Sequence, residues 1–274
     1  MQTGKLFDVT DKVVVVTGGG KGIGKMISTG FVRAGAKVYI TSRDAKALEA
    51  TAAELTKLGP GSCHAIAADM QKYDQVEQFV AELGKKEKAV HVLVNNAGAN
   101  WGADLEEYPD AAFTKVMTLN VQRVFTLTQK MVPLLQAGAK KGSAAGGAKE
   151  PPFDDPARII NIGSIDGLRV PSLNTYAYSS SKAALHHLSR VLASQLGPTG
   201  VTSNTLACGP FESKMMAATL AAAGDAIRDG VPLKRIGSPE DVAGACIFLS
   251  SRAGAYINGA TIPLDGGIVI SAKM

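Results

Sequence analysis

The chain is predicted to fold as a doubly wound α/β domain, a parallel sheet covered by helices on both faces. Runs rich in Val and Ile recur at Val13–Val16, Val38–Ile40, Val90–Val94, Arg158–Ile162 and Val201–Leu206. The segments between them are long enough for helices, the alternation that a doubly covered parallel sheet requires. The first run passes directly into the glycine-rich turn Thr17-Gly-Gly-Gly-Lys-Gly-Ile-Gly24. After it, Lys25 to Arg33 carries apolar residues at helical spacing and leads to the next run, which completes a βαβ unit.

At 274 residues the length leaves one domain or two open. A composition of 46% hydrophobic and 19% charged residues supplies a large core and argues against disorder. No repeat at solenoid periods and no second composition class divides the chain, so residues 1–274 read as one domain. The one low-complexity stretch begins at Ala137 and runs AGAKKGSAAGGAKEPP to Pro152. It lacks apolar anchors and reads, over 137–157, as a mobile surface loop inserted before a core strand.

The charge balance, 29 − 24 = +5, is spread over many segments, and aromatics are only 5%. A nucleic-acid surface concentrates its cations and interleaves stacking rings, so nucleic-acid partners are not expected. Cys63, Cys208 and Cys246 have no metal-type spacing, and an odd count fits free thiols in a reducing compartment. The first residues lack the apolar core of a signal peptide, and no run approaches the length of a membrane span. A cytoplasmic protein is therefore expected. The last three residues, Ala272-Lys273-Met274, loosely resemble the Ser-Lys-Leu peroxisomal signal, and chance is the better reading of so short a match.

The glycine-rich turn carries Gly18, Gly20, Lys21, Gly22, Ile23 and Gly24. Without Cβ atoms, a turn between a strand and a helix lets the backbone approach a pyrophosphate, whose charge is met by the helix N-terminus. The competing reading is an ordinary tight turn, but the placement after a strand and before a helix favours a dinucleotide. The second strand ends Tyr39-Ile-Thr-Ser-Arg43, with no carboxylate before Asp44. An acid there would bind a ribose 2′-hydroxyl, whereas Ser42 and Arg43, helped by Lys21, suit a 2′-phosphate, so NADP is expected over NAD.

TGxxxGxG stands at Thr17–Gly24, NNAG at Asn95-Asn96-Ala97-Gly98 and YxxxK at Tyr178-Ser-Ser-Ser-Lys182. With these motifs the chain resembles the short-chain dehydrogenase/reductase family. Asn120, Ser164, Pro239-Glu-Asp-Val-Ala and Leu264-Asp-Gly-Gly267 extend the match over nearly the whole chain. The similarity looks closest to ketoreductases of 3-oxoacyl chains and related metabolites. It implies a Rossmann fold, a homotetramer and the interconversion of a carbonyl and an alcohol, reduction with NADPH being the leading direction. Alcohol oxidation with NADP, or a cofactor-sensing scaffold without turnover, are the alternatives.

Tyr is a poor base at neutral pH until a cation stabilises its phenolate. Lys182, four residues after Tyr178 on a predicted helix, faces the same way and is expected to lower the phenol's pKa. Tyr178 would then give the proton to the substrate oxygen as the hydride reaches carbon, and Ser164 would hydrogen-bond that oxygen. The resemblance further implies that Asn120 holds a relay water and that Lys182 binds the nicotinamide ribose. It also implies that Asp69 and Met70 line the adenine, with Asn96, Ala97 and Gly98 beside the adenosine ribose. Backbone capping or cross-linking is the competing role for Asn120 and Ser164. His186 and His187 read as surface or interface residues with no catalytic role.

Two departures stand out. Cys208 occupies the place where the family usually has proline, before Gly209, Phe211 and Ser213, which fit contacts to the nicotinamide half. Fourteen residues separate Ser164 from Tyr178, one more than the family pattern, so the intervening segment is expected to bulge outward. Residues 211–236, with Met215 and Met216 and many alanines, fall where the family places a substrate lid, although such a helix can equally pack on the core.

Overall fold

The computed structural model describes residues 3–142, 153–213 and 216–271, and its centre is a seven-stranded, fully parallel sheet. The strands are β1 (Val13–Thr17), β2 (Lys37–Thr41), β3 (Ser62–Ala65), β4 (Val92–Asn95), β5 (Ala157–Ile162), β6 (Val201–Cys208) and β7 (Thr261–Leu264). They lie in the order β3-β2-β1-β4-β5-β6-β7. The chain moves outward from β1 to one edge and then returns to build the other, so the strand order reverses between β1 and β4. In open α/β sheets, ligands bind in the crevice outside the strand C-termini at that reversal.

Alternation along β1 shows why both faces are covered. Val14 and Val16 join a cluster with Ile27, Phe31, Val242 and Leu249, whereas Val13 and Val15 join one with Phe79, Leu83, Leu127 and Met131. Helices α1 (Gly22–Arg33) and α8 (Pro239–Ser250) cover the first face. Helices α3 (Tyr73–Lys86) and α5 (Arg123–Gly138) cover the second, and α6 (Tyr176–Leu196) packs against β6. Helix α2 (Ala45–Thr56) packs against β3, and α4 (Asp110–Met117) leads into α5. Helix α8 starts with a capping box, in which the Ser238 side chain and the Asp241 carboxylate each take the other's backbone N–H.

Five of the strands coincide with the apolar runs in the sequence, β4 being displaced to Val92–Asn95. The other two, β3 and β7, are edge strands without continuous apolar runs: β3 buries only Cys63, and β7 includes Pro263. Proline is tolerated at such an edge because one side of the strand needs no ladder donor.

Residues 143–152 of the low-complexity loop lie outside the described residues. Its ends are anchored: Lys140–Lys141 pairs antiparallel with Phe153–Asp155, and Ala157 already belongs to β5. The segment 211–236 opens with Phe211, bridged to Gly237, and continues into α7 (Ala217–Gly230), which is broken by a non-helical Ala223. Met215 and the Ala272-Lys273-Met274 tripeptide lie outside the described residues.

At the opposite end of the sheet from the glycine turn, Arg158 is fully buried. Its Nε donates to Leu249 O at 2.9 Å, and its Nη2 donates to Ser251 O and Asp155 Oδ1, both at 2.9 Å. Asp155 also pairs with Lys12 at 2.6 Å. The guanidinium thus satisfies carbonyls at the end of α8 while its charge is balanced. Replacing Arg158 with alanine leaves Asp155 and those carbonyls without it, and is expected to cost about 3–5 kcal/mol of stability. Urea unfolding measures this, and a loss below about 1 kcal/mol would contradict a net role for the network.

Candidate active site

The glycine turn is shaped by contact as well as by flexibility. Gly18 and Gly22 adopt φ of 64° and 51°, a left-handed conformation that side chains disfavour. Gly24 is helical, but a Cβ there would lie 2.2 Å from Gly18 O, so α1 starts pressed against the turn. No acidic residue occupies the first turn of α1, and Lys21 precedes it without a side-chain cap. The helix N–H groups and Lys21 therefore present positive potential where Gly20 and Gly22 leave room.

Thr17, which the sequence reading passed over, ties this turn to the next strand end. Its Oγ1 accepts from Asn96 N and Ala97 N, both at 2.9 Å, while Asn96 Nδ2 donates to Thr17 O at 2.9 Å and to Gly18 O at 3.3 Å. Gly98 continues this wall towards Asn120, whose Oδ1 would lie 3.2 Å from a Cβ at 98. Ser42 and Arg43 follow β2 directly, with Arg43 exposed as Lys21 is. Asp69 and Met70 follow β3: Asp69 Oδ1 accepts from Gln71 N at 3.0 Å, and Met70 is buried.

Lys182 is buried at 5% exposure, and its Nζ donates to Ile162 O at 2.7 Å, at the end of β5. Burial pushes its pKa down to about 8, opposed by the neighbouring Cys208. The ammonium lies 5.5 Å from the centre of the Tyr178 ring. The expected lowering of the phenol's pKa is not what the protein alone produces. Burial pushes the Tyr178 pKa well up and outweighs the Ser164 hydroxyl, which pulls it down, while Asp166 and Cys208 push it further up. Lys182 points at a carbonyl beneath the ring, so in the protein alone its charge does not offset that desolvation.

Ser164 stands at the end of β5, buried, with Oγ accepting from Asp166 N at 3.1 Å. It thus also caps the short turn Ile165–Gly167. The extra residue before Tyr178 falls in a segment that projects outward, with Val170 82% exposed and Leu173 53% exposed. Asn120 lies in a π-helical turn, Thr118–Gln122, between α4 and α5. Such bulges re-aim a helix locally. Its Nδ2 donates to Ala99 O and to Ser181 Oγ, both at 2.9 Å, and its Oδ1 accepts from Ala99 N at 2.8 Å. The backbone cross-link foreseen as its competing role is thus present, and Ser181 is a partner that spacing alone did not reveal.

Strand β6 runs without interruption through Cys208, which pairs with Leu264 and is buried. Burial raises its thiol pKa to about 12, against the effect of Lys182, so it is an unreactive thiol. Gly209 is required by contact, since a Cβ would lie 2.8 Å from Asp265 Cα. The Phe211 ring is buried against Gly237, so its side chain belongs to the core. Ser213 reaches the glycine turn: a Cβ on Gly22 would lie 3.1 Å from Ser213 Cβ. His187 is exposed as expected, but His186 is buried at 2% exposure, contrary to its reading as a surface residue. It sits four residues beyond Lys182 on α6, which turns that face towards the sheet.

Among the described residues no group of His, Cys, Asp and Glu could hold a metal ion, and no helix is long and apolar enough to cross a membrane.

The family model for short chain dehydrogenases matches residues 12–223. The chain is 41% identical over 263 residues to a rhamnolipids biosynthesis 3-oxoacyl-[acyl-carrier-protein] reductase of Pseudomonas aeruginosa, covering 95% of this chain and 97% of that one. It is 30% identical over 269 residues to a gluconate 5-dehydrogenase of Gluconobacter oxydans, covering 97% and 98%. Among solved structures, the Pseudomonas aeruginosa RhlG/NADP active-site complex aligns over 98% of this chain and all of that one, with a TM-score of 0.88 and 40% identity. The glycine turn and the Tyr178/Lys182 face of α6 stand at the C-terminal ends of the central strands, where the strand order reverses, and the chain belongs to the short-chain dehydrogenase family.

Proposed function

We propose that the protein is an NADPH-dependent reductase that converts a carbonyl into a secondary alcohol on an acyl or related metabolite, with Tyr178 as proton donor. The observation that carries this reading is the convergence of Tyr178, Lys182 and Ser164 at the C-terminal end of β5, beside the glycine turn. Its similarity to a 3-oxoacyl reductase and to an NADP complex supports both the substrate class and the cofactor.

The residues present fit NADP. Gly18, Gly20, Lys21, Gly22, Ile23 and Gly24 would hold the pyrophosphate, and Lys21, Ser42 and Arg43 the 2′-phosphate. Asp69 and Met70 would flank the adenine, Asn96, Ala97 and Gly98 the ribose. The nicotinamide half falls to Tyr178, Lys182, Gly209, Ser213 and the Phe211 backbone. Bound NADPH supplies the hydride for the carbonyl carbon.

The protein's own contribution is proton supply and charge placement. Ser164 Oγ orients the substrate oxygen, and the Tyr178 hydroxyl, kept protonated by burial, donates to it. The Lys182 ammonium, anchored on Ile162 O, stabilises the phenolate left behind, and the proton that restores the phenol would come in from solvent by way of the π-turn at Asn120 and Lys182. Exposed Phe113 on α4 and Phe125 on α5 support a homo-oligomer, and family likeness a tetramer. Three free, buried cysteines support a reducing compartment such as the cytoplasm.

Tyr178→Phe is expected to lower NADPH oxidation with a 3-oxoacyl thioester by about 10²- to 10⁴-fold while NADPH binding persists, and retained turnover would overturn the assignment. Arg43→Ala is expected to weaken NADPH binding about 10- to 100-fold and leave NADH binding nearly unchanged, as removal of a charge-assisted contact does. A binding titration with both cofactors reads this.

Lys182 carries its charge below a pKa of about 8 and loses it as the pH rises through that value. Accordingly kcat/KM for NADPH is expected to fall on the alkaline side of about pH 8. In Lys182→Arg, a slower enzyme whose cation does not titrate, that limb should vanish. A wild-type profile flat to pH 10 would contradict a role for the ammonium.

A further inference from the structure

His186 raises a question that the catalytic set does not answer. Its side chain is 2% exposed, and among the described residues neither ring nitrogen has a hydrogen-bond partner. Burying two unpartnered nitrogens is unfavourable, so the place of the ring is set by what it packs against. What surrounds the ring is specific. A Cβ on Gly163 would lie 2.4 Å from His186 Nε2, and a Cβ on Gly167 would lie 2.8 Å from Cε1. These two glycines are the ends of the turn that carries Ser164, and neither has a positive φ that would require glycine. A side chain at either would meet the imidazole, and would also meet Thr205 Cγ2 at 2.7 Å from position 163 and Ala183 N at 2.7 Å from position 167.

The turn is held at other points that leave this space to the ring. Gly163 N donates to Leu206 O at 2.8 Å, which fixes its start on β6, and Gly167 N donates to Ser164 O at 3.0 Å, which closes it. On the helix side, a Cβ on Gly167 would also lie 2.7 Å from Ala183 N, so α6 lies directly beneath. Tyr178, Lys182 and His186 succeed one another at four-residue steps along that helix. One face of α6 therefore supplies the proton donor, the cation and the floor of the Ser164 turn.

We propose that His186 is a positioning residue, whose ring, wedged between Gly163 and Gly167, sets the height of Ser164 relative to Tyr178. It rests on the reading of Tyr178 and Ser164 as the groups that handle the substrate oxygen. Burial, together with Lys182 and Arg190, holds its pKa down near 4, so the ring is neutral in the working range and adds no second cation beside Lys182.

The test uses the full-length enzyme with NADPH and a 3-oxoacyl thioester as probe. His186→Ala is expected to lower kcat about tenfold or more while KM for NADPH stays within about twofold, because the dinucleotide turn is elsewhere. In a Ser164→Ala background the same change should add less than about twofold, since two residues acting through one group are not additive.

Full additivity with Ser164→Ala, or an unchanged kcat, would overturn the proposal, as would a drop in melting temperature with kcat intact. His186→Leu, which retains bulk, separates packing from collapse if the alanine variant folds poorly, and is expected to keep kcat within about threefold. A crystal structure of His186→Ala reads the turn itself: an unmoved Ser164 refutes the inference whatever the activity. Tyr178→Phe, assayed alongside, tests the catalytic reading separately, since its retained turnover would sink that reading without moving the turn.

Discussion

The hydrogen bond from Lys182 Nζ to Ile162 O is the contact on which the site depends. At 2.7 Å, between a buried ammonium and the last carbonyl of β5, it sets how far α6 sits along the sheet, and with it the position of Tyr178. A buried cation tolerates few alternatives, because any shift that breaks this bond leaves its charge without a partner. The neighbouring polar contacts reinforce the same alignment. Asn161 on β5 reaches Ser189 on α6 at 3.0 Å and Ser203 on β6 at 3.3 Å, while accepting from Asn95 on β4 at 2.9 Å. Helix and strands are thus locked together by side chains of opposite polarity to the core that surrounds them.

The two ends of the sheet treat buried charge differently. At one end Arg158 makes three hydrogen bonds through Nε and Nη2, leaving Nη1 without a partner, and its charge is balanced by Asp155, which it shares with Lys12. At the other end Lys182 has a single protein carbonyl, and its pKa is held down near 8. Tyr178, beside it, is pushed the opposite way by the same desolvation. A cation with no carboxylate partner, beside a phenol kept protonated, is poised for a ligand, whereas Arg158 is tied into an ion pair with Asp155.

Small residues matter here for contact more than for flexibility. Gly24, Gly163, Gly167 and Gly209 have no left-handed backbone, yet each leaves room for something specific: the Gly18 carbonyl, the His186 ring, α6 and Asp265. The turn that carries Ser164 and the glycine turn stand at the C-terminal ends of β5 and β1, on the same side of the sheet. Replacement of the usual proline by Cys208 does not loosen this edge, since β6 keeps its pairing with β7 through that residue.

Much of this was legible in the chain itself. Buried central strands must be continuously apolar, so β1, β2, β4, β5 and β6 announced themselves, whereas the edges β3 and β7, half-solvated, did not. The Tyr178/Lys182 pair and the glycine turn were visible because each is a local pattern: a four-residue helical step and a strand-turn-helix junction. The direction of the Tyr178 pKa was not visible, because desolvation is a property of everything packed around a hydroxyl and spacing reports only one neighbour. The burial of His186 had a signal in the same four-residue step from Lys182, but which way that face of α6 turns is decided by its packing on the sheet. Local periodicity and turn chemistry determined the elements and the pair on α6. Only tertiary packing decided which polar groups lost their water, and that loss sets their charge and their reach.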